Sequence, residues 1–177
     1  MRRTFGDLVV ECMHGDITDQ PDVDAVVNAA NAQLAPGGGV AGAIHAKAGP
    51  GLYDECRPLA PIRSGEGVIT SGHGLPNAWC IHVLGPVYDR SSDPEGELAS
   101  CYREMLVRAE EHSLASIATP AISTGIFGYP VGDAARVAMG AVASRAAALR
   151  TVRLVRFVLW SEADVQVHIE ALEGVQA

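Results

Sequence analysis

Short runs of branched apolar residues alternate along this chain with longer stretches in which apolar positions recur every three or four residues. Leu8–Met13, Ala25–Asn28, Ser116–Thr119 and Leu154–Leu159 have the length and Val/Ile/Leu content of buried strands. Gly67–Ser71 and Trp79–Leu84 read as two further strands joined through a Gly/Pro turn, which predicts an antiparallel pair. Helical spacing predicts Val40–Ala48, Leu52–Ala60 stopped by Pro61, an Ala-rich Val131–Leu149, and Glu162–Leu172. Glu95–Ser113 is a fifth helix, with Leu98, Tyr102, Met105 and Ala109 along one face. Strands alternating with helices favour a mostly parallel central sheet with helices on both faces. With no internal repeat, linker or low-complexity segment, residues 1–177 are expected to form a single domain.

Composition narrows the class. Hydrophobic residues at 48% against charged residues at 19% describe a packed globular chain rather than a disordered one. Nineteen glycines beside three phenylalanines predict an aliphatic core with many tight turns. A net charge of −8, with Lys47 the one lysine, leaves no dense basic face for a nucleic-acid backbone. Arg150, Arg153 and Arg156 read as flanking a strand instead. Cys12, Cys56, Cys80 and Cys101 are scattered without a C-x-x-C pair, so they are expected to be buried free thiols. No metal-ligand spacing occurs, the histidines are dispersed, and neither a metal nor a cofactor is expected. The first five residues lack the apolar run of a signal peptide and no stretch reaches membrane-spanning length, so no membrane partner and a cytoplasmic location are expected.

Candidate chemistry gathers at three strand ends: Gly15-Asp16-Ile17-Thr18, Asn28 through Gly39, and Ser123 through Tyr129. Ligands of open α/β sheets bind outside the carboxyl ends of strands. Two of these loops are glycine-rich and lead into helices, so free backbone N–H groups and helix dipoles can cradle phosphate. Neither loop is G-x-x-x-x-G-K-[ST], and neither is G-x-G-x-x-G after a first strand, which disfavours a nucleoside triphosphatase or a Rossmann dehydrogenase. Two anion-cradling loops on one domain point to a diphosphate held from both sides.

Five segments carry a closer resemblance. Gly15-Asp16-Ile17-Thr18, Val26-Val27-Asn28-Ala29-Ala30-Asn31, Gly37-Gly38-Gly39-Val40-Ala41-Gly42-Ala43-Ile44-His45, Ile81-His82-Val83-Leu84-Gly85-Pro86 and Ser123-Thr124-Gly125-Ile126-Phe127-Gly128-Tyr129-Pro130 resemble, in order, the signature segments of macrodomains. The resemblance runs from about residue 7 to residue 170 and implies a three-layer α/β/α sandwich with a mixed, mostly parallel sheet. It implies an ADP-ribose cleft on the crest.

The resemblance also distributes roles. Asp16 matches the carboxylate that accepts from the adenine amine, beside the Ile17 N–H; taken alone, Asp16 reads as an Asx turn or helix cap. Asn31 matches the residue bonded to the distal ribose, while Asn28 either orients the loop or touches the ribose. Gly38, Gly39, Val40 and Gly42 align with the loop along the diphosphate. Ser123, Thr124, Gly125 and Ile126 align with the facing loop, and Phe127 either shapes the ribose pocket or fills the core. Trp160 matches an aromatic that stacks on adenine; its plainer reading is a strand-end tryptophan under the last helix. His45 and Trp79 are read as packing residues.

One position departs from the pattern. Where many hydrolytic macrodomains carry an aspartate that helps activate water, this chain has Ala41, with no acidic residue between Asp24 and Asp54. Catalysis would then rest on Asn31 and Gly42 as positioning residues and on a water oriented by the ligand's own phosphate. The implied activity is hydrolysis of ADP-ribosyl esters, on modified acidic side chains or O-acetyl-ADP-ribose. The alternative is a non-catalytic module that reads ADP-ribosylated proteins.

Overall fold

A computed structural model describes residues 1–176. In chain order its strands are β1 (Arg2–Phe5), β2 (Leu8–His14), β3 (Ala25–Ala29), β4 (Gly67–Ser71), β5 (Trp79–Val83), β6 (Ser116–Thr119) and β7 (Leu154–Leu159). The helices are α1 (Gly39–Ala48), α2 (Pro50–Cys56), α3 (Pro94–Glu111), α4 (Val131–Ala143) and α5 (Glu162–Gly174). The strands form one sheet in the order β1-β2-β7-β6-β3-β5-β4. The pairs from β2 through β5 are parallel, and the edge pairs β1–β2 and β4–β5 are antiparallel.

Period-two alternation along the strands divides the interior. Ala25 and Val27 of β3, Ile81 and Val83 of β5, and Val155, Phe157 and Leu159 of β7 pack beneath α3, α4 and α5. Val26, Cys80 and Val158 face the other way, against Ile44, Ala48, Leu52 and Cys56 of α1 and α2. A strand buried on both faces reads as a nearly continuous apolar run, and β3 and β7 read so apart from Asn28 and Arg156. The α1/α2 face also receives polar groups at alternate positions: Glu11, Asn28, His82 and Arg156 are all buried. All four cysteines are buried free thiols.

Three elements differ from the sequence expectation. β1 pairs with β2 although Arg-Arg-Thr-Phe has no apolar alternation. Its arginines act through their charge: Arg3 donates to the carbonyls of Leu172 and Glu173 at the end of α5, and Arg2 bonds Glu11. α2 ends at Cys56 and tightens into a 3₁₀ turn over Arg57–Leu59. α4 ends at Ala143, followed by a 3₁₀ turn over Ala146–Ala148 rather than a helix to Leu149.

The chain leaving that turn is pinned by Glu110, whose carboxylate accepts the backbone N–H groups of Arg150, Thr151 and Val152 at 2.8–2.9 Å and the Thr151 hydroxyl. Partial burial opposes its charge, yet these donors outweigh burial and hold its pKa down at about 2. A carboxyl depressed in the folded state contributes stability above its unfolded pKa and loses it as pH falls. Glu110→Gln is therefore expected to cost about 1–2 kcal/mol near neutral pH. Denaturant unfolding should find that difference shrinking as pH falls from 4.5 toward 2. A difference unchanged by pH would show that the charge contributes nothing.

Candidate functional site

Because β2, β3, β6 and β7 run parallel, the loops leaving their carboxyl ends converge on one crest. A cleft of about 480 Å³ opens there. One wall is Gly39, Val40 and Ala43 at the start of α1, and the facing wall is Thr124 and Gly125. Pro120, Ala121, Val158 and Leu159 form an apolar floor, while Gly15, Asp16, Ile17, Trp160 and Asp164 close one end. A larger open groove, about 780 Å³, lies beside the β1–β2 turn between α4 and α5; its charged lining residues are Arg136 and Glu170. It holds none of the residues singled out above.

The α1 wall is backbone presented by glycine. Gly38 caps the helix without a side-chain hydrogen bond, and Gly39 has φ +56°, a conformation other residues adopt at a cost. The first-turn N–H groups of α1 are thus left for a ligand, and the helix dipole favours an anion there. Across the cleft, Thr124 donates its hydroxyl to the Ala121 carbonyl, which fixes the turn that presents Gly125. Ile126 at the loop tip is 99% exposed.

At the closed end the Asp16 Oδ1 accepts both the backbone N–H and the hydroxyl of Thr18 at 2.8 Å. These bonds lower its pKa, the backbone N–H foremost, so Asp16 is a carboxylate. The Asx-turn reading therefore holds, and it coexists with a place on the cleft wall. Trp160 is 84% exposed. That overturns its plainer reading: the indole does not pack beneath α5 but stands open at the cleft, with its carbonyl bonded to His14.

Several residues expected at the ligand stand elsewhere. Asn28 is fully buried and bonded to His82 Nδ1 at 3.0 Å, so the loop-orienting alternative is the one its position fits. Ser123 is buried at φ +66° and donates to the Pro86 carbonyl, shaping the turn from below. Phe127 is half-buried, neither core nor cleft lining, and its carbonyl accepts the Tyr88 N–H. Asn31 turns its amide onto both backbone groups of Ala35, holding the loop that leads to Gly37. Gly42 lies off the cleft: a Cβ there would stand 2.3 Å from the Gly37 carbonyl oxygen, so its need for glycine is close approach to the loop. Trp79 packs half-buried against the core.

Beneath the α1 wall, His82 also meets Thr70 Oγ1 at 2.9 Å, and burial, with the nearby His45 second, pushes its pKa down to about 3. His45 is buried with neither ring nitrogen hydrogen-bonded among the described residues, and burial lowers its pKa too. Asp164 is a cleft residue the sequence reading missed. Its signal was present, since Ser161 caps α5 by accepting from the Asp164 N–H, a Ser-x-x-Asp start directly after Trp160. Asp16 and Asp164 are the only titratable side chains lining the described cleft, and both stand at the tryptophan end. Among the described residues no group of three or more His, Cys, Asp or Glu is placed to hold a metal ion, and no helix is long and apolar enough to cross a membrane.

Comparison with known proteins converges on one family. The Macro domain family model matches residues 27–138. A macro domain-containing protein of Chlorobaculum tepidum is 46% identical over 166 residues, covering 93% of this chain and 96% of its own. An ADP-ribose glycohydrolase of Xenopus laevis is 48% identical over 130 residues, 72% of this chain but 31% of that longer protein. The Oceanobacillus iheyensis macrodomain with ADP matches at TM-score 0.93 and 38% identity, covering 98% of this chain and 94% of that one. Variants of that macrodomain replace an asparagine, a glycine seven positions later (solved with ADPR) and an aspartate ten positions later. Asn31, Gly38 and Ala41 repeat that spacing here.

Proposed function

The chain belongs to the macrodomain family, and from that premise we propose that it binds ADP-ribose in the crest cleft and slowly hydrolyses ADP-ribosyl esters. The observation that carries the binding reading is the pair of backbone walls, Gly39–Val40 and Thr124–Gly125, facing each other beside an open tryptophan. A diphosphate between the walls accepts N–H groups from both sides, the purine stacks on Trp160, and the Asp16 carboxylate takes the exocyclic amine. The distal ribose lies at the other end, beside the Gly38 turn, which Asn31 holds in place through its bonds to Ala35. The candidate ligands are free ADP-ribose, ADP-ribosylated proteins and O-acetyl-ADP-ribose.

The chemistry follows from what lines the cleft. Both carboxylates stand at the purine end and His45 is buried, so among the described residues lining the cleft no side chain is in place to take a proton from water at the distal ribose. The ligand's own phosphate must orient that water, with the loops fixing the ester beside it. A base in position accelerates proton transfer by about 10²–10⁴-fold, so turnover without one is slow. The same observation favours a second reading, a module that recognises ADP-ribosylated proteins without cleaving them.

Calorimetric titration with ADP-ribose and AMP, followed by assays on mono-ADP-ribosylated protein and O-acetyl-ADP-ribose, separates these readings. ADP-ribose is expected to bind far more tightly than AMP, which lacks the groups both walls address; equal affinities would remove the assignment. Trp160→Ala should weaken ADP-ribose about 5- to 150-fold, the range of base–aromatic stacking. Its melting temperature should stay near the parent value, because the side chain is exposed. Turnover of either ester selects the hydrolase, and binding without turnover selects the reader.

A further inference from the structure

Behind the Asp16 loop lies a partly buried ion cluster, with Asp22 at its exposed edge, that the site described so far does not use. Arg156 of β7 stands beside Glu11 of β2 in the parallel register, and both are buried. The guanidinium donates through Nε to Glu11 at 2.6 Å and through both Nη atoms to the two Asp22 oxygens at 2.7 and 2.8 Å. Those carboxylates already satisfy its charge. Nη1 donates once more, at 3.0 Å, to the side-chain oxygen of Gln20, which is 4% exposed.

The direction of the Gln20 amide follows from chemistry. A guanidinium offers donors only, so the amide must turn its oxygen to Arg156 and its nitrogen the other way. That nitrogen donates to the Asp16 carbonyl at 2.8 Å. The backbone of Gln20 is itself held, because Asn77 Nδ2 donates to the carbonyls of Gln20 and Val23. A rigid strut thus runs from the sheet through Arg156 and Gln20 to the Asp16 backbone, while Thr18 sets the angle of the carboxylate.

We infer that Arg156 and Gln20 are positioning residues that fix the Asp16 carboxylate at the purine end, and thereby set a preference for an amino-bearing purine over an oxo-bearing one. The inference rests on the ADP-ribose reading above. A carboxylate accepts from the exocyclic amine of adenine but meets a lone pair on the carbonyl of hypoxanthine. That contrast survives only while the carboxylate is held in hydrogen-bonding position. Support of the fold alone asks nothing of the Gln20 amide, since Glu11 and Asp22 neutralise Arg156 without it.

The test measures ADP-ribose and inosine diphosphate ribose by calorimetry on the parent chain, Gln20→Glu, Gln20→Met and Asp16→Ala. The parent should prefer ADP-ribose by about 10- to 100-fold, the worth of a charge-assisted hydrogen bond. Gln20→Glu keeps a partner for Arg156 but sets an oxygen against the Asp16 carbonyl. Its preference should fall to that of Asp16→Ala, and combining the two changes should lower it no further. Gln20→Met removes the amide without adding charge and should behave alike, which keeps the result readable if the glutamate variant unfolds. A general loss of stability would weaken both nucleotides equally and leave their ratio unchanged. Folded Gln20 variants that retain the parental ratio overturn the inference alone, as does a parent that binds both nucleotides equally. A parent that binds neither removes the ADP-ribose reading, and the inference with it.

Discussion

Gly42→Ala is expected to weaken ADP-ribose binding by about 10²–10⁴-fold while leaving the protein folded. The added Cβ would stand 2.3 Å from the Gly37 carbonyl oxygen, a separation no real contact tolerates. The obstacle is backbone, so no side-chain rotation relieves it, and either Gly37 or the start of α1 must move. The loop is the softer of the two: Gly37, Gly38 and Gly39 are exposed, whereas Ile44 on the next turn of the helix is fully buried. Displacing the loop turns its N–H groups away from the diphosphate. Two lost charge-assisted hydrogen bonds, each worth about 1.5–3 kcal/mol, give the range stated. Calorimetry with ADP-ribose and a melting curve on the same sample check it. A folded variant of parental affinity would mean that this loop does not touch the diphosphate.

Gly42 illustrates which parts of the site were legible in the sequence. Its place in the Gly-Gly-Gly-Val-Ala-Gly run marked it as important, but the run cannot say whether a glycine meets the ligand or another stretch of backbone. The same limit applies to the polar residues at strand ends. Asn28 and Asn31 look alike in Asn-Ala-Ala-Asn, yet Asn28 is the fourth residue of β3 and alternation sends it to the buried α1/α2 face. The central strands were legible because burial on both sides asks for short, mostly apolar runs, and β3 and β7 supply them, interrupted by Asn28 and Arg156 alone. β1 was not, because it is held by its register with β2 and by arginines bonded to Glu11 and the end of α5. The early end of α4 has no glycine or proline to announce it, and Glu110, distant in sequence, clamps the segment beyond. Gln20 was invisible for the same reason, since its function depends on an arginine 136 positions away.

Ala41→Asp is expected to raise ester turnover by about 10²–10⁴-fold, the worth of a well-placed general base. Ala41 is the third residue of α1 and is buried, on the same helix face as Ile44, His45 and Ala48. The first turn of α1 has no acidic residue and no side-chain cap, so a carboxylate there meets unpaired N–H groups and the favourable end of the dipole. The helix dipole offsets part of its burial and favours the ionised form. Asn31 is close by: a Cβ built on Gly37 would lie 3.3 Å from Asn31 Nδ2 and 4.0 Å from Ala41 Cβ. The new base would thus stand beside the Gly37–Gly38 turn that the distal ribose meets. One turn on, His45 gains an acceptor for a ring N–H that has none among the described residues. Like-charge repulsion with the diphosphate should weaken ADP-ribose modestly, so a faster rate beside looser product binding is the expected signature. Slow turnover by the parent together with that gain supports a phosphate-oriented water. A parent without turnover and a variant that acquires it describe a binder lacking only its base. If both proteins bind ADP-ribose and neither cleaves any ester, the hydrolase reading falls and the reader remains.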